Sequence, residues 1–166
     1  MDPKASIWIV KALLILALIY LAYIDWRTFR LPNAITLPMI FLGIAFNVIS
    51  DTRFTNPSNA LIGACIGFGS LWILNSSYRL LKGHNGIGMG DAKLLAALGA
   101  WLGWSALPSI LLTASLTGLV GGIIWLKWRN FQLQEAFPFG PFIVIAGIIE
   151  LLWPQLIPTF ILPRLI

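Results

Sequence analysis

The sequence predicts an all-α fold, a polytopic membrane bundle of about six transmembrane helices, and three observations carry that prediction. Only 10% of the residues are charged while 58% are hydrophobic, and the mean hydropathy is +0.87. A soluble domain carries about a quarter charged residues, so this chain has too few to cover itself in water. The apolar residues fall in long runs rather than in alternation, and lipid demands backbone that satisfies itself internally, which favours helices over barrel strands. The basic residues and tryptophans gather at the ends of those runs, as topology signals and an interfacial belt do. The net charge of +5 is therefore read as contact with headgroups and not with nucleic acid.

Six spans fit the 166 residues as a single domain covering 1–166. The first is Ile7–Ile24; it is long for a signal peptide, no small-x-small cleavage site follows it, and it is expected to be retained. Asn33–Ile49 comes second, with Pro32 suited to its first turn and Asn33 as its expected cap. Ala60–Leu81, Asp91–Leu107, Ser109–Trp128 and Phe139–Trp153 complete the set. Gly63/Gly67, Gly99/Gly103 and Gly118/Gly122 are spaced for close helix packing. Pro154, Pro158 and Pro163 keep the tail from running as one helix, and it is expected along the headgroups. Trp8, Trp26, Trp72, Trp101, Trp104, Trp125, Trp128 and Trp153 are expected to form the belt. No internal repeat of the kind that builds transporters is evident.

Placing the N-terminus outside puts Arg27, Arg30, Arg79, Lys82, Lys93, Lys127 and Arg129 on the cytoplasmic side, seven against the four of Lys4, Lys11, Arg53 and Arg164. Asp25, at the end of the first span, and Asp91, at the start of the fourth, then share the cytoplasmic interface. They are two of only six acids in the chain. Asp91 follows a glycine loop and is a good helix cap, so its structural role competes with a catalytic one. Asp25 stands at a helix C-terminus, where the dipole disfavours an anion, although Arg27 and Arg30 can offset this. An acid at membrane depth is expensive enough to suggest a task. Two carboxyl groups brought to hydrogen-bonding distance share one proton: the ionised one can deprotonate an attacking water, and the protonated one can polarise a peptide carbonyl.

Gly83, Gly86, Gly88 and Gly90 do not form a phosphate loop, since no strand precedes them and neither the dinucleotide nor the Walker spacing is present. Their use is to let backbone approach backbone, and an extended substrate could pair with main chain exposed there. Cys65 stands alone, which excludes a disulfide framework and a cysteine zinc site. His84 is expected to be solvated, with no metal role. Asn47 and Asn75 are expected to hydrogen-bond between helices or at an interface. Glu150, ten residues into the last span, is expected to reach the outer interface.

Gly88-Met89-Gly90-Asp91, with Ala92-Lys93-Leu94-Leu95 and the following run to Trp104, resembles the signature of the type IV prepilin peptidases, membrane aspartyl proteases of the GxGD kind. Ile24-Asp25-Trp26-Arg27 through Asn33, followed by Ile35-Thr36-Leu37-Pro38, is similar to that family's first aspartate motif. Phe137-Pro138-Phe139-Gly140-Pro141-Phe142 resembles its proline-glycine segment before the last span. The resemblance implies removal of a short basic leader from prepilins or type II secretion pseudopilins at the cytoplasmic face of a bacterial inner membrane. It implies Asp25 and Asp91 as the catalytic pair, Gly88 and Gly90 as loop-shaping residues, and Pro138, Gly140 and Pro141 as substrate-positioning ones. Lys93 matches a motif lysine and is assigned no chemistry. Neither a metal nor an organic cofactor is implied, and a second copy of the chain is an optional partner beside the substrate helix and the bilayer. Many members carry two Cys-x-x-Cys pairs associated with methylation by S-adenosylmethionine. With one cysteine here, zinc and methyltransferase activity are not expected. Asn85 stands where the family has an acidic residue. Two rivals stay open: a small proton-coupled transporter with Asp25, Asp91 and Glu150 as relay acids, and a non-catalytic subunit that only binds prepilins.

Overall fold

Six helices form where the apolar runs predict them. The computed structural model describes residues 3–83, 88–129 and 138–154, without the side chains of 3–4 and 125–129. The helices are α1 (Pro3–Thr28), α2 (Asn33–Ile49), α3 (Pro57–Lys82), α4 (Met89–Leu102), α5 (Leu107–Arg129) and α6 (Gly140–Leu152), with one 3-10 turn at Trp104–Ala106. Ala5–Thr28, Pro57–Lys82 and Trp104–Ile124 are each long and apolar enough to cross a membrane, while α2 and α6 are shorter apolar helices. The chain is a polytopic, all-α membrane protein. His84, Asn85, Gly86, Phe137, Pro158, Pro163 and Arg164 lie outside the described residues, as do the side chains of Lys4, Trp125, Lys127, Trp128 and Arg129.

The residues that stop and start the helices differ in places from expectation. Asn33 is not a cap: Pro32 holds the extended cap position (φ −70°, ψ 131°) and Asn33 is the first helical residue. Asp91 is not a cap either. Gly88 occupies that position, and Asp91 sits in the first turn, its N–H bonded to the Gly88 carbonyl at 3.1 Å. The α4 helix ends at Gly103 instead of running to Leu107, because Gly103 takes φ +86°, a left-handed value that a side chain would strain. At 14 residues α4 measures about 21 Å, well short of the roughly 30 Å hydrocarbon core.

That short helix is the centre of the bundle. Leu94, Leu95, Leu98 and Ala97 are wholly inaccessible, because α2, α3 and α6 pack around α4 while α1 and α5 pack on α6. Lipid tails are as apolar as leucine, so van der Waals packing and polar ties must hold such a bundle together. The small residues supply the packing: Gly63 of α3 and Gly99 of α4 meet backbone to backbone, and Gly67 lies on the main chain of Leu95 and Ala96. In α5, Gly118 and Gly121 receive the rings of Phe139 and Phe142.

Asn47 supplies the main polar tie. Its amide reaches the carbonyls of Ala100 and Trp101 at 3.0 Å each, and its oxygen accepts from the N–H groups of Phe54 and Thr55 at 3.0 and 3.1 Å. Trp101 departs from the expected interfacial belt: it is buried, donates to the Met39 carbonyl at 2.9 Å and stacks on Phe46. Trp8, Trp26, Trp72, Trp104 and Trp153 are exposed.

Candidate active site

Asp25 lies in the last turn of α1, where the helix is closed deliberately. The Thr28 hydroxyl donates to the carbonyls of Ile24 and Arg30, and Phe29 donates its N–H to the Asp25 carbonyl at 2.8 Å. Phe29 takes φ 52°, the one non-glycine residue with positive φ among those described. Such a conformation costs of order 1–3 kcal/mol and persists only where the surroundings impose it. Here the connector from Phe29 to Pro32 must turn at once so that Leu31, which is buried, reaches α4.

The contact it makes is with Gly90. A Cβ on Gly90 would stand 2.9 Å from the Leu31 Cβ, so only glycine permits this approach. One turn further along α4, Lys93 donates from Nζ to the Asn33 Oδ1 at 2.6 Å. The α1–α2 connector is therefore held to the first turns of α4 by a glycine seat and a hydrogen bond. Both hold Asp91 against the end of α1. Asn75, on α3, approaches the same helix start, its amide 4.0 Å from the Met89 sulfur.

Both carboxyl groups are buried, Asp25 at 5% and Asp91 at 8% exposure. They lie close enough that the charge of Asp25 acts on Asp91. The Gly140 N–H, at the start of α6, faces the Asp25 carboxyl group. A Cβ on Gly140 would fall 2.5 Å from Asp25 Oδ2 and 2.9 Å from Cγ, so glycine is required there. Among the described residues Asp25 Oδ2 has no hydrogen-bond partner, although it is buried. Pro138 and Pro141 flank Gly140 and are buried with it.

The first aspartate motif, the glycine-aspartate motif and the proline-glycine segment thus meet at one end of the bundle. Gly88 differs from expectation in detail. Its φ of −68° is open to any residue, and a Cβ there would make an ordinary 3.5 Å contact with Asp91 Oδ2. What its missing side chain provides is clear space over the carboxyl group rather than an unusual turn. His84 and Asn85 lie outside the described residues. No three His, Cys, Asp or Glu side chains cluster among the described residues.

Glu150 does not join the pair. It lies ten residues beyond Gly140, about 15 Å along α6, with the inaccessible Leu98 and Ile143 in the intervening core. Nor does it simply reach an interface, as its position in the sequence suggested: it is buried and accepts a 2.7 Å hydrogen bond from the Ser109 hydroxyl. A relay running from the aspartates through Glu150 would have to cross that leucine and isoleucine layer, which weakens the transporter reading. Sequence reasoning missed the Leu31–Gly90 seat and the Lys93–Asn33 bond. Each joins residues about 60 positions apart, and no local pattern marks such a pairing.

Comparison with known proteins gives the same three motifs a context. Residues 12–123 match the model of the type IV leader peptidase family. A prepilin leader peptidase/N-methyltransferase of Dickeya chrysanthemi is 46% identical over 127 residues, which are 76% of this chain and 44% of that protein. The protein of the same name from Aeromonas hydrophila is 45% identical over 148 residues, 88% of this chain and 50% of its own length. Its namesake from Neisseria gonorrhoeae is 46% identical over 142 residues, 84% and 48% respectively. The chain spans about half the length of the curated relatives it matches. No solved structure gives a significant match. With the family model covering residues 12–123 and relatives this similar along most of its length, the chain belongs to the type IV leader peptidase family.

Proposed function

We propose that residues 1–166 form one transmembrane aspartyl endopeptidase domain, which removes the short basic leader of type IV prepilins or type II secretion pseudopilins. The observation that carries this reading is the burial of Asp25 and Asp91, from helices far apart in sequence, in one site where the charge of Asp25 reaches Asp91. Buried carboxyl groups at such close quarters ionise together only at high cost, so the pair holds a single proton. The ionised partner takes a proton from water as the water oxygen attacks the scissile carbonyl. The protonated partner donates to the carbonyl oxygen, and the amine leaves with a proton returned by the pair. Every proton in the cycle moves between water, substrate and these two groups.

The substrate's own geometry suits the place. A leader joined to a hydrophobic helix presents its junction at the end of the bilayer, and the site lies at the end of a helical bundle. Gly88 is exposed and leaves main chain without side-chain cover beside Asp91, where an extended peptide can pair. The basic residue count, seven against four, favours the cytoplasm for this end. The relatives carry the words leader peptidase and N-methyltransferase in one name. For these 166 residues, whose one cysteine is Cys65, only the first activity is proposed.

Co-expression with a candidate prepilin, followed by mass analysis of its N-terminus, tests the reading. The expected result is loss of the leader with the wild type and an intact precursor with Asp25→Asn or Asp91→Asn. Processing that survives both substitutions rejects it, and an intact precursor with the wild type would leave the chain as a prepilin-binding subunit.

A further inference from the structure

The end of the bundle remote from Asp25 and Asp91 holds a second polar feature that the peptidase chemistry does not use. A cavity of about 200 Å³ opens there, lined by Lys11, Phe54, Thr55, Leu102, Ser105 and Glu150 among others. Lys11 precedes Asp25 by 14 residues, about 21 Å along α1, and Glu150 lies about 15 Å along α6 from Gly140. The cavity draws on α1, the α2–α3 connection, the turn after α4 and the end of α6, so it forms only when the bundle is assembled.

Its walls carry opposite charges on separate elements. The Glu150 carboxyl group is buried at 6% exposure and accepts a hydrogen bond from the Ser109 hydroxyl at 2.7 Å. The Lys11 ammonium stands 5.2 Å from the Trp8 ring centre and 6.0 Å from that of Phe54, steered by both aromatic faces. Thr55 and Ser105 add hydroxyl-bearing side chains to the same lining. An ionisable side chain buried in a membrane bundle is a functional feature by default, because burial in lipid penalises it otherwise. The volume is several times the roughly 30 Å³ share of one water, and too small for a folded partner or a long peptide.

We propose that this cavity binds a compact zwitterion bearing a primary ammonium and a phosphate, the chemistry of an aminophospholipid headgroup or of its water-soluble counterpart. The ammonium meets the Glu150 carboxylate, and the phosphate meets Lys11 with hydroxyl support from Thr55 and Ser105. As a lipid, the molecule would sit in the leaflet at this end and bridge α1 to α6, the helix that carries Gly140 at its other end.

Native mass spectrometry of the purified full chain in detergent tests this. The protein is titrated with phosphatidylethanolamine and with phosphatidylglycerol of identical acyl chains. Phosphatidylethanolamine should bind roughly tenfold more tightly, the worth of one added ammonium contact. Glu150→Gln should erase that preference while leaving phosphatidylglycerol binding unchanged, and Lys11→Met, at a half-buried position, should weaken both lipids. A soluble O-phosphoethanolamine arm separates the sources: failure to displace the lipid at millimolar concentration assigns the site to lipid, and displacement assigns it to the soluble zwitterion. Equal affinity of the wild type for the two lipids overturns the proposal. So does a preference that persists in both variants.

Discussion

Glycine decides the geometry around Asp25 more than any acid or base does. Gly140 approaches the carboxyl group so closely that a methyl group would have to displace Oδ2 or Cγ. Gly140→Ala is therefore predicted to lower prepilin processing by at least roughly 10²-fold, since misplacement of a reacting group by about 1 Å costs that much. Its melting temperature in detergent should fall far less than that of a core variant; processing at the wild-type rate would show that the contact does not position Asp25. Gly88→Ala meets only an ordinary contact and should retain more activity than Gly140→Ala in the same assay. The two acids were legible in the sequence because charged residues are so few that each must be explained. The need for glycine at 140 was not legible in the same way. The proline-glycine segment marked a position, but the neighbour that forbids a side chain comes from a helix more than a hundred residues earlier.

At the scale of the helix, α4 shows why its sequence reads ambiguously. Apart from Lys93, its run from Ala92 to Trp101 is apolar or small because the helix is enclosed by its neighbours, and every one of those positions except Lys93 is buried. Composition predicted a span; only tertiary packing tells that lipid does not touch it and that it stops at Gly103. Two changes probe this arrangement. Gly99→Leu drives a side chain into the Gly63 main chain and should destabilise the bundle by about 1–3 kcal/mol or more, as overpacking does. Asn47→Leu strands the N–H groups of Phe54 and Thr55, at about 1–3 kcal/mol for each buried group left without a partner. Thermal unfolding in detergent reads both, and unchanged melting temperatures would contradict the packing described. The helix-bonding role of Asn47 was expected from its type; its tying two carbonyls at the end of α4 to two N–H groups of the α2–α3 connection was not, because those partners meet only in the assembled bundle.

For the whole molecule, the distribution of chemistry between its two ends matters most. One end gathers the three motifs, and the other holds Glu150 and Lys11 around a cavity, with a leucine-rich core between them. The charge count predicts which end is cytoplasmic. In a Cys65→Ser background, a membrane-impermeant maleimide added to intact cells should label Asp51→Cys, in the α2–α3 connection, and not Lys82→Cys, at the end of α3. The reverse pattern would put the acids on the outer face and remove the prepilin reading. A single shared proton, as proposed for the pair, also fixes the sign of the expected pH response. Processing should fall at low pH, where both acids are protonated and no base remains, and at high pH, where both are ionised and no acid remains. A rate that rises monotonically across the range would contradict a shared proton.

The central claim is that Asp25 and Asp91 act as one unit, and a double-mutant cycle on the purified chain with a prepilin substrate tests it most directly. Groups that act together are non-additive: Asp25→Asn and Asp91→Asn should each lower kcat by at least roughly 10³-fold, and the double variant should be no slower than the slower single one. Losses that multiply, with each variant keeping its own partial activity, would mean that the two carboxyl groups work independently and would contradict the account.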